Sequence, residues 1–244
     1  MDGMTFWLLA VLAAMSIGLS KGGLPMAGAI AVPLLALQIS PVTAAGLLLP
    51  VFVVSDLFGL WAWRKAFDRR VVKIIAASAT FGIGIGWATA AWVNEGWVTR
   101  MVGLIGLAFV ANHLIGRRQR GEPQPARIGP GLFWGTITGF TSFVSHAGAP
   151  PYQVYALPLQ MPRATFAGTS TIVFACINAV KLIPYYFLGQ LNPDNLKIAA
   201  ILTIPATLAV FLGVWLVKVM NERLYFTLIF SALFALSLRL LIYS

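Results

Sequence analysis

Charge is what this chain has least of. Across 244 residues only 10% are Asp, Glu, Lys or Arg, and just 7 residues are acidic. A soluble domain has about 25% charged residues, because its surface must be clothed in polar side chains. With 59% apolar residues this chain lacks the means. That excludes an ordinary soluble enzyme, a disordered chain and a nucleic-acid partner. Metal-ligating side chains are equally sparse. Two His and one Cys allow no disulfide framework and argue against a multi-ligand metal site. Cys176 lies inside an apolar run, the place of a packing thiol. Ser145 and His146 do not make a protease dyad, because adjacent side chains diverge and no Gly-x-Ser-x-Gly elbow surrounds either Ser. No nucleophile–base pair is found, so no catalytic residue, no metal and no cofactor is expected, and the chain reads as a non-enzyme.

What is present is long apolar sequence. Apolar stretches run about 5–20, 24–38, 41–62, 72–93, 98–116, 129–145, 148–160, 163–188, 197–217 and 223–243. A spanning helix needs about 20 residues to cross the hydrocarbon, and most of these qualify. The second and seventh are short, start after Gly and contain Pro33 and Pro158; they read as broken helices or re-entrant hairpins. The N-terminus has no basic stretch before its apolar run and no cleavage site, so the first segment is expected to remain as a membrane helix. The fold class is therefore an all-α polytopic membrane helical bundle of 8–10 segments, embedded in the lipid bilayer.

The two halves repeat. Ser20-Lys21-Gly22-Gly23-Leu24-Pro25 aligns with Ser145-His146-Ala147-Gly148-Ala149-Pro150 at an offset of 125, which Pro33 and Pro158 keep. Leu37-Gln38 matches Leu159-Gln160 and Ala45-Gly46 matches Ala167-Gly168 at 122; Lys73 falls on Lys197 at 124, and Asn94-Glu95 on Asn221-Glu222 at 127. The colinearity of these matches indicates an internal duplication. Residues 1–116 form the first membrane repeat, 117–128 a cytoplasmic linker and 129–244 the second repeat.

The formal net charge of +10 sits in short loops. Arg64, Lys65, Arg69, Arg70 and Lys73 oppose only Asp68; Arg117, Arg118, Arg120 and Arg127 oppose only Glu122. Both loops are expected on the cytoplasmic side. The counterpart of the first, 190–197, holds one Asp and one Lys, whereas Lys218 and Arg223 against Glu222 replace the neutral 94–100 loop. The bias inverts between halves. That fits five segments per half, inverted repeats and both termini outside. If the short segments do not cross, the count falls to four per half and the repeats become parallel.

The Ser-Lys-Gly-Gly-x-Pro run is the sharpest local signal. A lysine between apolar segments is costly unless it faces water or a ligand. Gly22 and Gly23 permit unusual backbone angles, and Pro25 suits the first turn of a following half-helix. A helix break near the midplane with free N–H groups and an ammonium is an anion site; the alternative is that Lys21 snorkels to the headgroups. The second half repeats the break with His146 and Gly148. His146 is either a ligand or a satisfied buried histidine. Two such breaks meeting near the midplane is the arrangement of inverted-repeat transporters.

The third segment of each half adds polar groups. Ser170, Asn178 and Lys181 share one face of a helix, with Thr169 and Thr171 beside them. Asp56 stands opposite Asn178 at the 122 offset. A carboxylate in an apolar run is a functional hypothesis, as a proton carrier or the partner of a cation. Interhelix hydrogen bonding remains open for the hydroxyls, as does snorkelling for Lys181. The substrate-binding candidates are Ser20, Lys21, Gly22, Gly23, Ser145, His146, Gly148, Ser170, Asn178 and Lys181, and the proton-coupling candidates are Asp56 and His146. Tyr152 and Gln153 are weaker candidates. Small residues every four positions, at Ala14, Gly18 and Gly22 and at Gly131, Gly135 and Gly139, read as helix-packing faces. Trp61, Trp63, Trp92 and Trp97 read as interface anchors. His113 and Arg239 need no special role.

At these motifs the sequence resembles the TauE/SafE family, also called TSUP. The resemblance rests on Gly18-Leu19-Ser20-Lys21-Gly22-Gly23, the Pro-Leu-Leu at 33–35, the Ala-Gly before the third helix and the second-half repeat, and spans nearly the whole chain. It departs from the family where Leu24 replaces a third glycine and where His146-Ala147-Gly148 replaces a glycine-rich stretch. The resemblance implies a bacterial inner-membrane transporter of small sulfur oxyanions such as sulfite, sulfoacetate or thiosulfate. The residues agree on sign, since cations outnumber the one buried carboxylate. Export by alternating access is expected, because a negative interior drives an anion out without a coupling ion, whereas uptake needs one, such as a proton. An anion channel and a non-transport accessory subunit are the alternatives. Oligomeric state is left open.

Overall fold

The computed structural model describes residues 3–92, 95–115 and 123–242. Ten α-helices follow one another, with no strand among the described residues: α1 (Met4–Lys21), α2 (Ala31–Leu35), α3 (Pro41–Trp63), α4 (Arg69–Ala88), α5 (Glu95–Ile115), α6 (Ile128–Ser145), α7 (Ala149–Ala156), α8 (Arg163–Phe187), α9 (Pro193–Val219) and α10 (Glu222–Ile242). A 3-10 turn at Ala27–Ile30 precedes α2, and another at Leu157–Leu159 follows α7. The expected segments are all present. The second and seventh are the short, broken ones. Asn94 and linker residues Arg117, Arg118, Arg120 and Glu122 lie outside the described residues, as do the side chains of Glu95, His113 and Ser145.

Local chemistry sets the helix starts. The Ser40 hydroxyl accepts the Thr43 N–H at 3.1 Å, with Pro41 opening α3. The Asp68 carboxylate accepts the N–H groups of Arg70 (2.8 Å) and Val71 (3.0 Å). The Asn192 side chain accepts the Asn195 N–H at 2.9 Å, with Pro193 opening α9. Each cap replaces a missing intrahelical bond, and Pro at the first position gives up an N–H that has no partner there.

Among the described residues, six helices are long and apolar enough to cross a membrane: α1, α3 from Thr43, α4, α8, α9 and α10. Their outward faces carry residues such as Leu8, Ile204, Leu208 and Phe234. Lipid tolerates these, because helices satisfy their backbone groups internally.

The chain forms two compact units. The first comprises Met1–Phe67 and Ala167–Met220. Its core joins Ala10, Ala13 and Ile17 of α1 to Leu35, Leu47 and Leu202. Here α1 packs on α9 through the expected small-residue face. A side chain at Gly18 would meet Ala206 and Ala209, and one at Gly22 would meet Val210 and Gly213. The matched positions rise together, so α1 and α9 run parallel. Phe58 against Phe211, followed by Arg64 and Lys218 around one groove, makes α3 parallel to α9 as well. The segment 22–40 therefore returns from the end of α1 to the start of α3 as its 3-10 turn and α2. By contrast, α8 runs antiparallel to α3, with Gly46 beside Gln190, Asp56 bonded to Asn178 and Ala66 beside Gly168.

The second unit comprises Asp68–Phe166 and Asn221–Ser244. Here α6 packs on α4, with Gly131 beside Ile74, Gly135 beside Ser78 and Gly139 beside Ala79, again in parallel. α5 and α10 run antiparallel, with Gly103 beside Ser237 and Leu241 and Phe109 stacked on Phe230. Phe166 meets Tyr152, Tyr225 and Phe226. In both units the first helix of one sequence half packs on the fourth segment of the other half.

Candidate functional site

Lys21 is the last residue of α1, and every terminal carbonyl of that helix finds a donor. Gly22 N–H donates to Gly18 O (2.9 Å), Leu24 N–H to Leu19 O (3.1 Å) and Gly23 N–H to Ser20 O (3.2 Å). The Thr171 hydroxyl donates to Lys21 O at 3.1 Å. This corrects one expectation. The N–H groups of the Gly22–Gly23 break close α1 and do not point outward as a free donor set. The chain beyond continues as a four-residue 3-10 turn and a five-residue helix, too short to supply a helix-terminal field. Pro25 lies in the turn before it. The glycines serve the backbone instead: Gly22 lets α9 approach, and Gly23 adopts a φ of 113°, open to glycine at little cost.

The ammonium of Lys21 is 2.7 Å from Asp56 Oδ1, with both side chains 4–5% exposed. It does not snorkel. Asn178 Nδ2 donates to the other oxygen, Asp56 Oδ2, at 2.8 Å. Lys21 Nζ also lies over two rings, 5.2 Å from the Phe52 centroid and 5.9 Å from that of Phe174, a geometry in which each ring face attracts the cation. Phe52 and Phe174 are 122 apart, the offset that relates Asp56 to Asn178. Lys181, one turn beyond Asn178, is fully buried, lies 5.5 Å from the Tyr185 centroid and interacts electrostatically with both Lys21 and Asp56. It does not snorkel either. Two lysines and one carboxylate thus lie buried together on α1, α3 and α8. Removing such charges from water costs several kcal/mol per ion unless pairing and hydrogen bonds compensate.

Ser170 is buried beside Thr171 on the same helix. The Ser20 hydroxyl donates to Ile17 O at 2.7 Å and so serves its own helix. Gly59 holds the cluster close, since a side chain there would meet Thr171 and the Lys21 carbonyl.

His146 and Gly148 belong to the second unit, where they terminate α6 and open α7. His146 holds a left-handed conformation, φ 52° and ψ 18°, with the following N–H, of Ala147, donating to Thr141 O. Lys21, at the matching position, is helical. The two breaks therefore differ in backbone. In one the left-handed residue is Gly23, in the other it is the histidine itself. Pro150 and Pro151 sit in the first turn of α7, as Pro tolerates, and Tyr152 and Gln153 are fully buried.

Sequence reasoning missed Phe52 and Phe174; their shared offset was the available signal. It also misplaced Trp63. Trp61, Trp92 and Trp97 are exposed as interface residues are, but Trp63 is 4% exposed. Its ring abuts Gly23, Ala167 and Val217 are beside the same glycine, and its Nε1 has no hydrogen-bond acceptor among the described residues.

Comparison with curated proteins and with solved structures returned no match. The family model of the sulfite exporter TauE/SafE matches residues 8–240. That is almost the entire chain, including the lysine, carboxylate and amide of the buried cluster and both helix breaks. A multi-pass helical chain with this match is a membrane transporter of the sulfur-anion class and not an enzyme: it belongs to the TauE/SafE sulfite exporter family.

Proposed function

We propose that the protein is a secondary transporter that exports a small sulfur oxyanion (sulfite, thiosulfate, or a sulfonate such as sulfoacetate) by alternating access in a bacterial inner membrane. The observation that carries this reading is the buried Lys21–Asp56 ion pair with Lys181 beside it. Asp56 occupies the position an anionic substrate would take. A compact oxyanion offers several acceptors and can replace the carboxylate at Lys21, where charge-assisted bonds are strong. Asn178, Ser170 and Lys181 would complete its shell, and His146 with Ser145 and Gly148 would serve the second break. Protonation of Asp56 releases Lys21 to the substrate, which ties anion binding to a proton. One net charge crossing 100 mV is worth about 2.3 kcal/mol, so a dianion that leaves with one proton still moves downhill out of a negative interior.

The helix directions support the two membrane repeats, 1–116 and 129–244, in inverted orientation. Helices α3 and α8, which hold the matched pair Asp56 and Asn178, run antiparallel, and inversion requires that of equivalent helices. The parallel course of α3 and α9 also puts the basic ends at Arg64 and Lys218 together, in keeping with a cytoplasmic side for both.

The test is flux of labelled sulfite in proteoliposomes of the purified chain, competed with sulfate, thiosulfate, sulfoacetate and acetate. Saturable flux blocked by one sulfur oxyanion and not by acetate is expected. Normal flux in Lys21→Ala sinks the proposed site. High unitary conductance without counterflow exchange would instead indicate a channel.

A further inference from the structure

Away from the buried cluster, the ends of α3 and α9 enclose a groove of about 440 Å³. Its walls carry Trp61, Arg64 and Lys65 from the first helix end and Phe211, Trp215 and Lys218 from the second. No acidic residue lines it among the described residues. The three cations are exposed, and so are the aromatic side chains, Trp61 at 62% and Trp215 at 57%. Arg64 is held in place: its guanidinium lies 5.1 Å from the Trp61 ring and donates to Trp61 O at 3.4 Å.

The two halves of the groove have different chemistry. Cations gather at the helix ends, where the chain leaves the hydrocarbon. Phe211 lies two turns deeper along α9, packed edge-on against Phe58. A ligand that fits both must be an anion at one end and apolar at the other. An inorganic anion satisfies only the first requirement, and an acidic protein segment would not use aromatic walls that face lipid. We propose that this groove binds an anionic phospholipid, with its phosphate among Arg64, Lys65 and Lys218 and its acyl chains along Trp215 and Phe211. Basic sites between membrane helices recognise such headgroups, and aromatic residues settle at the headgroup level. The site is separate from the transport cluster and stands whether or not that cluster binds a sulfur anion.

The experiment is native mass spectrometry of the full chain released from nanodiscs with equal phosphatidylglycerol and phosphatidylcholine. Retention of phosphatidylglycerol in preference to phosphatidylcholine is expected. The variant Arg64→Gln/Lys65→Gln/Lys218→Gln should lose that preference. The variant Arg69→Gln/Arg70→Gln/Lys73→Gln removes the same charge outside the groove and should keep it. If the triple groove variant does not fold, the single variant Lys65→Gln reads the same effect as a drop of about fivefold, the weight of one basic residue near an anionic surface. Equal retention of the two lipids overturns the proposal, as does equal loss in the groove and control variants. Displacement of phosphatidylglycerol by excess inorganic phosphate also overturns it, since the site would then take a free anion.

Discussion

Asp56 and Asn178 lie 122 residues apart in the chain, and their side chains share a hydrogen bond of 2.8 Å. The same separation aligns Ala45-Gly46 with Ala167-Gly168 in the sequence, so under the proposed duplication the bond joins a residue to its counterpart, a carboxylate in one half and a neutral amide in the other. The pair thus retains one negative charge against Lys21, where two facing carboxylates would repel each other.

That charge is expected to set the proton dependence of flux. Asp56→Asn should abolish stimulation by a pH gradient and leave simple anion exchange intact. Flux in proteoliposomes with and without an imposed gradient checks it; undiminished gradient stimulation would rule out Asp56 as the proton carrier.

The same ion pair has a stability signature. Lys21→Met leaves a buried carboxylate without its cation and should cost about 3–5 kcal/mol. The double variant Lys21→Met/Asp56→Leu removes both charges and should recover most of that loss while remaining inactive. Thermal unfolding in detergent, read beside substrate binding, separates the two effects.

Glycines of similar sequence context should differ sharply. Gly22→Val drives a side chain into Val210 and Gly213 of α9 and should prevent stable folding. At Gly84, on the exposed side of α4, an added Cβ meets nothing within 4 Å. Gly84→Ala should be neutral or stabilising by up to about 1 kcal/mol, the helix-propensity difference. Yield and melting temperature of the two variants report this directly.

His146 separates backbone from side-chain function. Its φ of 52° costs a non-glycine residue about 1–2 kcal/mol. His146→Gly should relieve that strain and raise the melting temperature while removing the imidazole. If transport falls nevertheless, the ring has a functional role; full activity would assign the position to chain geometry alone.

Much of the architecture was legible because hydropathy is a strong signal. Helix ends at Lys21, Trp63, Ser145 and Phe187 fall where apolar runs meet Gly, Pro or charge. The partners of these helices were far less legible. Small residues every four positions mark Gly18 and Gly22 as a packing face, but nothing local says that α9 covers it. The polar cluster was recognisable residue by residue, and its pairing was not. In the sequence, snorkelling is open for Lys21 and Lys181, and Asp56 reads as a proton carrier or the partner of a cation; tertiary packing decides between these. Trp63 failed for the same reason: a tryptophan at a helix end reads as an interface anchor, and only its packing at Gly23 and Gly168 reveals its burial. The free N–H groups expected at the Gly22–Gly23 break were lost to a competing demand, closure of the preceding helix.

The backbone contact of α1 with α9 has a mechanical corollary. Where glycines let two parallel helices touch main chain to main chain, neither can slide by a turn without collision, so the two behave as a single strut. Lys21 rides on that strut at its tip. In the alternating-access cycle proposed above, α1 and α9 would move as one body, with Lys21 carried at its tip.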